Sequence, residues 1–138
     1  MFDFKSSFKK GLEAAEIAEK NKKEIKGVIE ELSSQLDEAT NGRVNVRIET
    51  ITETVPLHLA LDNSYKAKSY QVLYAFVPEG NQGLELVKWR WDRNGYPCEI
   101  TLDEKILIAE DKEGLQQNLS TILADPRVGD KLHHLAKD

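Results

Sequence analysis

Between Asp3 and Thr40 the chain carries no proline and is rich in Glu, Lys, Ala and Leu, all good helix formers. Phe8, Ala15, Ile29 and Leu36 fall seven or fourteen residues apart, and Ala18, Ile25, Leu32 and Ala39 repeat three residues behind them. That is a heptad stripe, and it predicts one long amphipathic helix. Asp3 is placed to cap its start, with Ser6 or Ser7 as substitutes. Asn41 and Gly42 supply the left-handed stop at its end. Glu16 with Lys20, and Glu19 with Lys23, stand in the favourable i,i+4 order.

A straight helix of this length would run about 57 Å. The remaining hundred or so residues should fold to a radius of gyration near ~13 Å. The helix must then either project beyond its own body and meet a partner, or break. The weak points are Gly11 and the run Lys20, Asn21, Lys22, Lys23, where the heptad sets Lys22 in the seam. A bend near Asn21 is the alternative to a continuous rod.

After Gly42 the period changes from helical to two. Val44, Val46 and Ile48 alternate with Arg43, Asn45, Arg47 and Glu49, as in a strand with one buried face, and Pro56 ends it. Leu57, Leu59 and Leu61 read as a short edge strand or a loop, and Asp62, Asn63 and Ser64 as a turn. Tyr70 to Val77 is apolar on both faces, which predicts a strand covered on both sides. Leu84 to Trp91 forms the next strand. Asp92, Arg93, Asn94 and Gly95 make a hairpin turn. The strand that follows turns at Asp103 and Glu104, in a register that sets Ile100 opposite Leu107 and Cys98 opposite Ala109. Asp111 caps a helix with Leu115, Leu119 and Ile122 inward. Asp125 and Pro126 open another with Val128, Leu132 and Leu135 inward.

The order predicts an α+β fold: a long N-terminal helix, an antiparallel β-meander of four to five strands, and two short C-terminal helices. Residues 1–41 form the helix, a candidate self-association element, and 42–138 the α+β body of the same single domain. The C-terminal pair is expected on one sheet face, with the first helix on the other or extending away.

Nineteen basic and twenty-four acidic residues give a net charge of −5, which argues against a whole-domain footprint for nucleic acid. With Cys98 the lone cysteine, no intramolecular disulfide forms, and the thiol is expected in the core. The start shows no signal pattern and no apolar run approaches the ~20 residues of a membrane span, so the expectation is a cytoplasmic protein that avoids membranes.

Chemistry is hard to find. His133 and His134 are adjacent and point apart, and His58 stands alone among leucines. No metal site and no cofactor are expected. No nucleophile elbow or phosphate-binding loop is present, so an enzyme would need a site without a recognisable motif.

Lys88, Trp89, Arg90, Trp91 and Arg93 interleave aromatic and basic residues, the composition of a sheet that stacks bases and holds phosphates. The period-two geometry separates them, however, with Trp89 and Trp91 on one face and Lys88 and Arg90 on the other. The residues therefore point first to a non-enzymatic interaction protein: an assembly, adaptor or inhibitor subunit. It would use Phe8, Ile25, Ile29, Leu32 and Leu36 against a protein partner or a second copy, a dimer being the simplest case.

Overall fold

The computed structural model describes residues 1–61 and 68–137. Its elements are α1 (Phe4–Ala39), β1 (Asn45–Thr52), α2 (Leu57–Ala60), β2 (Ser69–Phe76), β3 (Gly83–Asp92), β4 (Gly95–Leu102), β5 (Lys105–Ala109), α3 (Lys112–Leu123) and α4 (Pro126–Ala136). This is the α+β arrangement expected, with the meander at five strands.

Helix α1 is one unbroken rod of 36 residues, about 54 Å long. Asp3 Oδ1 accepts from the Ser6 amide at 3.1 Å and closes its first turn. At the other end Thr40 accepts the Val44 amide at 2.9 Å, and Asn41 and Gly42 take positive φ. There is no bend at Asn21. That side chain instead donates from Nδ2 to the Asn94 carbonyl in the β3–β4 turn at 3.0 Å.

The strands pair in sequence order, all antiparallel. Ile100 lies opposite Leu107 and Cys98 opposite Ala109, as the alternation required. One expectation about the elements is corrected. Leu57 to Ala60 is a short helix rather than an edge strand, and Leu57 and Leu61 stand exposed beside it. The expected turn at Asp62, Asn63 and Ser64 lies outside the described residues.

A second correction concerns layers. Register places Val46, Ile48, Leu73, Ala75, Val87, Trp89, Cys98, Ile100, Leu107 and Ala109 on one face. All three long helices pack there: α1 against β1 and β4, α3 against β5, α4 against β3. Their inward residues, Ile25, Ile29 and Leu32 from α1, Leu115, Leu119 and Ile122 from α3, and Val128 and Leu135 from α4, join a single core. Alternation shows which residues share a face but not which helix covers it, so the expected division of helices between two faces does not occur.

Capping matches the sequence. Asp111 accepts from the Gly114 amide at 2.7 Å and Asp125 from the Arg127 amide at 2.8 Å. The Asp125 carboxyl is held down to about 2, chiefly by its hydrogen bonds from Arg127.

Candidate interaction surfaces

The helices' shared face leaves two surfaces open. The first is the N-terminal part of α1. Its apolar spacing alternates four and three residues from Phe4 through Phe8, Gly11, Ala15, Ala18 and Lys22 to Ile25, Ile29, Leu32 and Leu36. From Ile25 onward this seam is covered by the chain's own sheet: Ile25 is fully buried, Ile29 and Leu32 nearly so, and Leu36 packs at the margin. Toward the N-terminus the same seam runs into solvent. Phe4 is 78% exposed, Phe8 68% and Leu12 49%. The free segment from Phe4 to Lys20 is roughly 25 Å long.

This placement divides the five residues expected to contact a partner. Ile25, Ile29, Leu32 and Leu36 are committed within the molecule, because β1 and β4 lie beneath them; Phe8 alone remains available. Phe4 and Leu12 had been overlooked. The i,i+4 spacing of Phe4, Phe8 and Leu12 was the signal that could have found them.

The point where helix and body part is tightly built. Gly95, at φ +91°, lies so close to α1 that a Cβ there would stand 2.9 Å from Asn21 Cβ and 3.3 Å from the Lys22 nitrogen. Glycine serves twice, for the left-handed backbone and for the close approach. Tyr96 donates from its hydroxyl to Glu24 Oε1 at 2.8 Å, and burial, followed by that bond, raises its phenol well above the ordinary range. Lys22, the charge in the seam, sets Nζ 5.8 Å from the Trp91 ring centre. Beyond this junction a groove of about 580 Å³ opens between the helix and the hairpin, lined by Ala14, Ala15, Ala18, Glu19, Lys22, Lys23, Lys26, Arg93 and Asn94.

The second surface is the sheet face away from the helices. The strand from Tyr70 to Val77 was expected to be covered on both sides. Among the described residues the three long helices make their contacts on the other side, although Val72, in the middle of this face, is fully buried. Tyr70, Ile106 and Ile108 are exposed, and Tyr74 and Phe76 half-buried. Arg47 lies over Phe76 at 4.4 Å and Tyr74 at 5.6 Å while pairing with Glu49 at 2.6 Å; Lys88 lies 5.5 Å from Tyr70. These stems shield the aromatic rings without burying them. Arg90 stands opposite Glu99, and Tyr70 donates to Glu85 at 3.4 Å, so basic and acidic groups alternate across the face. The Glu85 charge, more than any other cause, raises the Tyr70 phenol.

The aromatic-basic cluster separates as the alternation requires. Trp89 is buried under the helices at 3% exposure and Trp91 is half-buried on that same face. Lys88 and Arg90 lie on the open face, and Arg93 is in the β3–β4 turn. Trp89 therefore offers no face for a base to stack on.

A further groove of about 810 Å³ runs between α1 and β1. Part of its polar wall is joined internally: Asn45 donates to Asp37 at 2.9 Å, and Ser33 accepts from the Val46 amide at 3.0 Å. Cys98 is fully buried, and burial pushes its thiol up to about 12, where it is a poor nucleophile at neutral pH. Among the described residues no three His, Cys, Asp or Glu side chains cluster as metal ligands, and no helix is long and apolar enough to cross a membrane. Comparison with protein-family models, with curated proteins and with solved structures finds no match.

Proposed function

We propose that this chain is a non-enzymatic protein-interaction protein, an assembly, adaptor or inhibitor subunit, that associates through the projecting part of α1 and, secondarily, the open sheet face. The observation that carries this reading is the seam itself, which continues in register past the body to Phe8 and Phe4. Burying a large apolar side chain of this kind is worth about 1.5–3 kcal/mol, and here that gain is unused within the chain. A helical segment of this length without tertiary support is also marginal in water, so covering it would stabilise the helix as well as the contact. On the sheet, Ile106, Ile108 and the aromatic row give a broad mixed surface of the kind proteins use in non-obligate contacts.

The test is a Phe4→Asp/Phe8→Asp double variant. Both side chains are exposed in the free chain, so the variant should keep a cooperative thermal transition, its midpoint lower than the parent's only by the stability that association adds. Its association, measured by sedimentation and by co-purification from the native host, should be lost. Identical association profiles for variant and parent would sink the reading.

A further inference from the structure

The projecting seam has a size pattern that selects an occupant. Its bulky residues, Phe4 and Phe8, are at the tip; its small ones, Gly11, Ala15 and Ala18, are toward the body. Nothing in the chain lies within 4 Å of where a Gly11 Cβ would stand, so this stretch has room for another backbone. Two such helices running antiparallel set the large residues of each over the small residues of the other. We infer that the occupant is a second copy of this chain, its α1 antiparallel in the groove beside Ala15 and Ala18, with Phe8 of each copy over Ala18 of the other. This inference rests on the reading of α1 as the contact element.

The register follows from what is free. With Phe8 over Ala18, Gly11 meets Ala15 and Phe4 meets Lys22. One heptad further would drive Phe4 against Ile29, which the sheet already covers. One heptad less would leave the groove empty at Ala18 and Lys22. The chosen register uses all the free helix and stops where the body begins. Phe4 then arrives beside Lys22 and Arg93, whose cations suit an aromatic face.

Charge selects the same direction. Lys5, Leu12 and Glu19 flank the seam on one side, and Ser7, Ala14 and Asn21 on the other. In an antiparallel pair each flank faces its own copy, which brings Lys5 opposite Glu19 twice and Leu12 opposite Leu12. Among the described residues Glu19 pairs with Lys23 alone, at 3.8 Å and well exposed, which leaves it able to accept a second cation. A parallel pair would offer neither match and would set Lys22 against Lys22 while crowding the two bodies together. Flanking charges of this kind decide orientation.

The area is also sufficient. With Phe4 78% and Phe8 68% exposed, the four phenylalanines of the pair would bury about 440–730 Å². Leu12 and the lysine and glutamate stems bring the total toward the ~1,200 Å² at which stable interfaces begin. The contact is isologous, so it closes at two copies.

Sedimentation equilibrium of the full chain should give a dimer, and Phe8→Asp should weaken it at least about thirtyfold, as expected for a central aromatic anchor. Lys5→Glu or Glu19→Lys should each weaken it, and the two together should restore it. Direction is read by oxidation: an equimolar mixture of Gly11→Cys and Ala15→Cys chains should cross-link, because small residues bring the axes to about 8 Å, while either variant alone should not. Native Cys98 is buried and out of reach.

Cross-linking of the single variants with themselves would mean a parallel pair and overturn the proposal. A monomer at every concentration would also overturn it. In that case, loss of a different protein's binding in Phe8→Asp would leave the α1 reading standing, and no loss would remove both.

Discussion

From Ile25 to Leu36, α1 sets its seam against β1 and β4 and buries it; from Phe4 to Ala18 the same spacing runs on with no strand beneath it. The two segments share one helix, one heptad and similar propensities. What separates them is the reach of the body. A five-stranded sheet is roughly 20 Å across, and a rod of about 54 Å crossing it must overhang. A heptad stripe therefore specifies that a helix face will be covered, while the size of the neighbouring layer specifies how much of it the same chain can cover.

The division can be tested along the rod. Ile25→Asp should have the largest effect, because it buries an unpaired carboxylate at a fully enclosed position. A loss of more than about 4 kcal/mol is expected, seen as collapse of the cooperative thermal transition. If that variant kept the parent's midpoint, the buried half of the comparison would fail.

Gly95→Ala should come next, at about 1–3 kcal/mol in chemical denaturation. The left-handed backbone is strained for alanine, and the added methyl meets Asn21 and the Lys22 backbone. A neutral outcome would mean that α1 does not rest on the hairpin.

Asn21→Ala removes the bond to the Asn94 carbonyl and should cost about 0.5–1.5 kcal/mol. Hydrogen exchange sharpens the result. In the monomer, obtained by dilution, the amides before Asn21 should exchange by local fraying and those after Ile25 only by global opening. The variant should move that boundary toward Ile25.

The two sheet faces offer a second contrast, and they show where sequence reasoning lost information. The strands of the meander, the register of β4 with β5, the hairpin at Arg93 and Asn94, and the three Asp caps were legible, because each depends on neighbours in sequence or on a strict period of two. The separation of Trp89 from Lys88 and Arg90 was legible for the same reason. The layers were not. Tyr70, Val72, Tyr74 and Phe76 look as apolar as the residues that face the helices. Yet Arg47 and Lys88, from neighbouring strands, lie across the row in place of a helix. Cross-strand neighbours of that kind appear only once the register is built. The bend near Asn21, the alternative to a continuous rod, does not form, and a polar residue amid lysines carries no sign of the carbonyl that it meets across the fold.

By itself the sequence determined the elements other than α2, their order, the antiparallel meander and the length of the first helix. All of these follow from local propensity, capping and periodicity. Only the tertiary structure decided that α1, α3 and α4 share one face, that Ile25, Ile29 and Leu32 are core, and that Phe4, Phe8 and the far side of the sheet stay open. Periodicity marks a residue as one that gains from burial. Which surface reaches it depends on the finite size of the layer it packs against, and that size is a property of the whole fold.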